Sequence, residues 1–233
     1  MKKIFLSLTC LFISTLVFSQ TADEIVNKYI DALGGKSKIA QIKNIYMEGT
    51  VDAQGQQIVI KNWQIVNTCK RDEFTVMGMT GYSIVTKDSG WTFSPFQGQK
   101  TAEPMTAEQV KKEKVDLDEV FPLTTYKEKG YKLEYKGKDD VDGTDAYKLE
   151  LTINDSNVET YFIDPNTYYI MRVKEKATIN GKTEEGTTDF TNYQKTADGF
   201  MFPMSVGSDM GAVKFTSIKI NTDMDPSLFV PKR

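Results

Sequence analysis

The sequence predicts a mainly β (α+β) fold, an antiparallel barrel or strongly curved sheet preceded by one helix. Three observations predict it. Apolar and polar residues alternate in short runs, as where Ile45, Met47, Gly49 and Val51 interleave with Tyr46, Glu48, Thr50 and Asp52. A period of two buries one face of a strand and wets the other. Turn signals separate these runs at regular spacing: Ala53-Gln54-Gly55, Asp88-Ser89-Gly90, Asp142-Gly143, Asn154-Asp155-Ser156-Asn157, Asp164-Pro165-Asn166, Asn180-Gly181 and Asp198-Gly199. Finally, helical patterns do not alternate with the strands, which argues against βαβ units and for a closed or curved all-antiparallel architecture.

The first element is a cleavable export signal, Met1–Gln20. Lys2 and Lys3 precede the apolar run Ile4–Phe18, and Val17-Phe18-Ser19 offers a cleavage site. The run is short for a membrane span, which needs about 20 apolar residues. Ser7-Leu8-Thr9 before Cys10 is a poor match to a lipidation site. The remainder, 21–233, fits one domain of the large β type. Loss of the two lysines takes the net charge from −3 to −5. Interspersed, mildly acidic charge offers no basic patch for nucleic acid. Cys69 is then the single cysteine, so no internal disulfide is expected. No transmembrane segment is expected after signal cleavage.

The domain opens with a helix. Thr21-Ala22-Asp23-Glu24 forms a capping box. Ile25, Tyr29 and Leu33, flanked by Val26 and Ile30, make an apolar stripe at helical spacing. Gly34-Gly35 ends it, and Lys36–Ile42 adds a short second turn. Beyond the first strand, Tyr131, Leu133 and Tyr135 alternate with lysines and a glutamate, as do Tyr147, Leu149, Leu151 and Ile153 with Lys148, Glu150 and Thr152. Asn180-Gly181 is the strongest hairpin signal. One stretch breaks the β pattern. Thr106-Ala107-Glu108-Gln109 is a second capping box, opening a charged helix to about Val120. Its sparse apolar positions, Val110, Leu117, Val120 and Phe121, predict weak docking, either as a movable lid or as a surface helix over one end of the barrel.

The absence of histidine excludes Ser–His triads and His-based zinc sites. The acidic run Asp139–Asp145 fails as a calcium loop, because Val141 and Gly143 stand where oxygen ligands are needed. No phosphate-binding glycine loop is present, and no cofactor is called for.

Several segments, taken in order, carry a resemblance. They are Lys70-Arg71-Asp72-Glu73-Phe74, then Val85 through Gln99 with its Asp88-Ser89-Gly90-Trp91-Thr92-Phe93-Ser94-Pro95-Phe96 core. Phe162-Ile163-Asp164-Pro165-Asn166-Thr167 follows, then Asp189 to Tyr193, Gly199 to Pro203, and Asp225 to Pro231. Together they resemble the LolA-like lipoprotein carriers, and the opening helix ending in Gly34-Gly35 is similar to exported members of the Bacteroidetes type. The resemblance implies a half-open antiparallel β-barrel closed by helices, with a helical lid. It further implies a periplasmic, non-enzymatic carrier that binds lipid or lipoprotein acyl chains for outer-membrane sorting. An acyl chain gains about 0.8 kcal/mol per CH₂ removed from water, so such a carrier needs an apolar hollow rather than catalytic groups.

The expected cavity residues are Trp63, Phe74, Met77, Met79, Trp91, Phe93 and Phe96, and the expected lid residues are Val110, Leu117, Val120 and Phe121. In the family a basic residue before the Phe-bearing strand holds the lid shut. That role falls on Arg71 or Lys70, with Arg71 preferred for its planar fork. The charge of the lid helix and the amphipathic segment Lys127–Lys138 depart from the carrier pattern. Two other readings stay open: a filled β-rich interaction module docking a cell-envelope protein, and an exported hydrolase using Asp and Glu alone.

Overall fold

The computed structural model describes residues 21–53, 55–117, 120–179, 182–208 and 211–231. The expected export signal and the expected Asn180-Gly181 hairpin signal lie outside the described residues, as does Gln54 of the first turn signal. The helices are α1 (Ala22–Leu33), α2 (Lys36–Ile39) and α3 (Ala107–Glu113). The strands are β1 (Asn44–Ala53), β2 (Gln56–Ile65), β3 (Cys69–Val76), β4 (Met79–Thr86), β5 (Gly90–Phe93), β6 (Glu103–Pro104), β7 (Lys132–Val141), β8 (Thr144–Asn154), β9 (Asn157–Ile163), β10 (Ile170–Ile179), β11 (Lys182–Lys195), β12 (Met201–Ser208) and β13 (Gly211–Ile220).

These strands form one antiparallel sheet in the order β6-β5-β4-β3-β2-β1-β13-β12-β11-β10-β9-β8-β7. Every neighbour in this order is also a neighbour in sequence, except β1 and β13, whose pairing joins the two halves. The sheet is open: β6 and β7 are its edges, and they do not pair. Antiparallel β architecture with one opening helix is therefore as expected, but the strand pairing does not close a barrel.

Helix α1 begins as its sequence dictates. The Thr21 hydroxyl accepts from the Glu24 amide at 3.2 Å, and the Glu24 carboxylate accepts from the Thr21 amide at 3.0 Å. At the far end Gly34 and Gly35 adopt φ of +126° and +95°, and the Gly35 amide donates to the Ile30 carbonyl. L-residues with a Cβ avoid that region, so glycine terminates the helix there. The stripe Ile25, Val26, Tyr29, Ile30 and Leu33 is buried. It packs in one cluster with Ile45 of β1, Leu149 and Leu151 of β8, Tyr161 and Ile163 of β9, Val173 of β10, and Phe202 of β12. Each such side chain removed from water contributes about 1.5–3 kcal/mol. The N-terminus of α1 is tied down by Asp23, which accepts from the Tyr126 hydroxyl and pairs with Lys127 at 2.6 Å.

One irregularity shapes the seam between the halves. β1 and β13 slip register between Glu48 and Gly49, leaving Thr216 as an extra residue. A Cβ on Gly49 would stand 2.7 Å from the Lys214 carbonyl oxygen, so only glycine fits beside this bulge. Gly49→Ala is expected to cost about 1–3 kcal/mol in a urea titration, the usual penalty for forced overpacking. Gly186→Ala, on β11 with nothing near its Cβ position, is expected to be neutral or slightly stabilising.

Hydrogen bonds from Lys127 and then Tyr126 hold the Asp23 carboxyl below the ordinary carboxylate range, against a smaller opposing effect of burial. A depressed folded pKa stabilises the fold above the unfolded value, near pH 4, and that contribution is lost as pH falls through the folded value. Asp23→Asn is thus expected to lower the thermal midpoint at pH 7. The gap to the parent should narrow as pH drops from about 5 toward 2, read by circular dichroism melts.

Candidate functional site

Antiparallel register assigns each strand residue to a face, because directly paired residues share one. The inner face is the one that bears Ile45 and meets α1. From β1 to β5, one inner row runs Ile45, Gln64, Lys70, Val85, Gly90, and the next runs Met47, Asn62, Asp72, Ser83, Thr92. The outer face carries Tyr46, Trp63, Arg71, Ile84 and Trp91, together with Glu73, Tyr82 and Phe93.

The inner face thereby divides into two unlike halves. Over β2 to β5 it is polar where it meets α3, with Ile60 and Phe74 further along the same face: Asn62 donates to Asp72, and Lys70 lies 4.0 Å from Asp72 and 3.3 Å from Glu113 of α3. Over β1 and β8 to β13 it is apolar, and a cavity of about 410 Å³ opens there. Its walls come from Tyr29 and Leu33 of α1, Met47, Leu151, Ile153, Tyr161, Val173, Phe190, Val206, Phe215 and Ile218 of the sheet, and Phe121 and Leu123 of the segment after α3. Gln64, Lys129, Glu159 and Glu175 supply the charged and amide groups of the lining. Buried Tyr29 and half-buried Tyr193 border it: loss of water pushes both phenols well up, so both stay neutral, and the Tyr193 hydroxyl donates to the Ile170 carbonyl at 2.9 Å.

The seven cavity residues expected from sequence lie elsewhere, and they do not share one face. Trp63, Trp91 and Phe93 point outward. Trp63 packs on Tyr46 with ring centres 5.2 Å apart, and Phe93 packs on Tyr82 at 5.4 Å. Phe74 and Met79 are on the inner face, and Phe96, in a 3-10 turn (Pro95–Gln97), stacks on Phe74 at 5.7 Å. The Phe74 ring lies over Gly81, where a Cβ would stand 2.4 Å away. Met77 sits in the β3–β4 turn at φ +50° and is 79% exposed. None of the seven lines the large cavity. Aromatic content pointed to this hairpin, but alternation sends neighbouring aromatics to opposite faces.

The residues that do line the cavity carried a legible signal. Ile45 and Met47, and Leu151 and Ile153, stand at alternate positions of strands recognised from sequence. What sequence alone did not supply was the pairing of β1 with β13, which brings Phe215 and Ile218 beside them.

The segment expected to form a lid is short, α3 followed by a 3-10 turn (Lys114–Leu117). Val110, Leu117 and Phe121 are buried, and Val120 packs against the core. The Leu117 carbonyl accepts from the Asn67 amide at 2.7 Å and from the Gln64 side chain at 3.3 Å. An amide bond from β2 and a backbone bond from the turn after it thus supplement the sparse apolar stripe. Val120 and Phe121 line the cavity; Val110 and Leu117 lie away from it, over β4.

Lys70, not Arg71, reaches this segment. A shift of one residue along a strand reverses the face, so Arg71 lies on the opposite side from α3. There its guanidinium donates to the Leu228 carbonyl at 2.9 Å, pairs with Glu73 at 2.6 Å, and stacks 4.0 Å over the Tyr82 ring. Arg71 is 3% exposed. It clasps the C-terminal turn (Pro226–Phe229) rather than the lid. Burial raises the pKa of Cys69, which marks an inert thiol.

No protein-family model matches this chain, and no curated protein matches it in sequence. Solved structures share its fold. A DUF1329 family protein from Desulfovibrio piger is 10% identical, with a TM-score of 0.58 over 91% of this chain and 98% of its own. A LolA superfamily protein from Nitrosomonas europaea is 13% identical, with a TM-score of 0.57 over 91% and 98%. A putative outer membrane lipoprotein-sorting protein domain from Vibrio parahaemolyticus is 12% identical, with a TM-score of 0.55 over 90% and 97%. At these identities the likeness is one of fold.

The two basic neighbours are expected to separate in hydrogen exchange. Arg71→Met should speed exchange at the Leu228 and Val230 amides and cost about 1.5–3 kcal/mol, the range for bonds to a charged group. It should leave the Val110 amide of α3 unchanged. Lys70→Met should do the reverse.

Proposed function

We propose that this protein is a non-covalent carrier, exported to the periplasm, that takes an acyl chain of a lipid or lipoprotein into the cavity beneath α1. The observation that carries this reading is the 410 Å³ hollow, whose lining is aliphatic and aromatic apart from a few polar groups. Its size falls in the ordinary range of small-molecule pockets, and its polar groups are few, as binding rather than catalysis requires. A filled interaction module would have no hollow of this size. The fold shared with the LolA superfamily protein and the lipoprotein-sorting domain supports the same reading.

In this reading the open sheet acts as a half-barrel. Its curve brings β7 and β12 against the same helix, although four strands separate them in the sheet. The chain would enter between α1 and the β8–β13 wall, beside Phe121 and Leu123. The polar patch around Asp72 and Lys70 on the inner face would stay clear of it, since burying an alkyl chain there strips those groups of water without replacing the lost bonds. No covalent step is involved, and release needs only opening of the cover.

Native mass spectrometry of the protein purified from its own periplasm should show a bound lipid or acylated peptide. Uptake of a fluorescent fatty acid should fall at least tenfold in Val206→Trp, which fills the hollow beside Phe190 and Phe215, with the urea transition still cooperative. Equal uptake by this folded variant, or a parent protein that is clean and takes up no probe, would defeat the reading.

A further inference from the structure

The hollow suits an alkyl tail, and the face beside it suits one kind of head group, an inference that rests on the carrier reading above. Met47, on the cavity wall, is directly paired with Asn62. From Asn62 the inner row runs across the strands through Asp72 and Ser83 to Thr92. Three strand spacings of about 4.8 Å make this row about 14 Å long. Its four side chains are half-buried. The row starts at the cavity wall and leads away from it, polar at every step.

Both flanks of the row are built. On one side α3 packs on β4, and Lys70 lies 4.0 Å from Asp72 and 3.3 Å from Glu113. On the other, Ile60 and Phe74 form the next inner row. Phe96 stacks on Phe74 and stays 40% exposed, and its turn also packs on β4. Ligand sites combine apolar and aromatic walls with a few placed polar groups. A polar floor beside an aromatic wall fits a molecule with hydroxyls on its edges and C–H groups on its faces, which is the chemistry of a sugar ring. The hydrogen bonds point the same way. The Asn62 amide nitrogen donates to Asp72, and among the described residues Asn62 Oδ1 is a buried acceptor without a hydrogen-bond partner. Buried polar groups left unpaired are few in native proteins, and each calls for an explanation. A hydroxyl settled against Asn62 supplies the donor, and the Ser83 and Thr92 hydroxyls can give or accept in turn. A charged head gains less: Lys70 already spans Asp72 and Glu113, and a carboxylate or ammonium would have to displace those charge-assisted contacts.

We infer that the ligand is an amphiphile with an uncharged sugar head. Its tail lies under α1, and its hydroxyls bond to Asn62, Asp72, Ser83 and Thr92. The C–H face of the sugar packs on Phe74 and Phe96. The polar row that rejects the tail thereby becomes the seat of the head.

The test is isothermal titration of the full chain with three twelve-carbon amphiphiles below their micelle concentrations: dodecyl maltoside, lauryldimethylamine oxide, whose head accepts hydrogen bonds but donates none, and laurate. The expected result is that dodecyl maltoside binds at least tenfold tighter than either of the others. The double variant Ser83→Ala, Thr92→Val removes two hydroxyls with little change in volume, and Asn62→Leu removes the unpaired acceptor. Each should keep amine-oxide binding and cut the maltoside preference at least threefold. Any order that does not place dodecyl maltoside first overturns the inference, as does a preference that survives in both variants. Either result leaves the carrier reading standing. Failure to bind any of the three overturns the carrier reading itself.

Discussion

The structure turns on a mismatch between a wide sheet and a small helix. Thirteen strands at about 4.8 Å spacing make a sheet about 58 Å across if laid flat. Helix α1 has 12 residues and is about 18 Å long. One amphipathic helix of that size cannot cover so much apolar surface. The helix meets β7 and β12 together, the segment after α3 covers part of the remainder, and what neither reaches is left as a hollow. The cavity is the uncovered residue of an otherwise ordinary helix-on-sheet core, and its walls are the same alternating residues that pack α1.

That geometry also explains why the inner face is not uniform. Beneath α1 it can be dry, because helix and sheet exclude water together. Beyond β1 the cover is α3 and its following turn, which carry Glu113 and present the Leu117 carbonyl. A polar cover calls for polar partners, and Gln64, Lys70, Asn62 and Asp72 provide them. The outer face of the same strands carries Trp63, Tyr82, Trp91 and Phe93, and there Arg71 holds the C-terminal turn, while Phe74 stays on the inner face. Fold likeness at 10–13% identity leaves such a division open, since a shared backbone path does not specify which side chains face the hollow.

Much of this was legible in the chain itself. Both capping boxes, the Gly34-Gly35 stop, the strand alternation and most of the turns follow from local chemistry, because a hydroxyl within reach of an orphan amide, or a glycine where φ must be positive, acts over three or four residues. Helix α3 began where its cap predicted, but it ended at Glu113 and tightened into a 3-10 turn, whose Leu117 carbonyl accepts from the Asn67 amide after β2.

By itself, then, the amino-acid order determined that the chain is antiparallel β with one docked helix, free of histidine chemistry, and apolar on alternate positions. Tertiary structure alone decided which alternate positions meet. The β1–β13 pairing joins residues about 170 apart, and no local rule encodes it. With that seam and its bulge in place, Met47, Phe215 and Ile218 become neighbours of the hollow, and Trp63 and Trp91 turn away from it. The same register puts Lys70 and Arg71 on opposite faces, one facing the cover and the other the C-terminal turn. The physical reason is the period of the strand: a single-residue step reverses the face, and only the long-range partner says which face is inside.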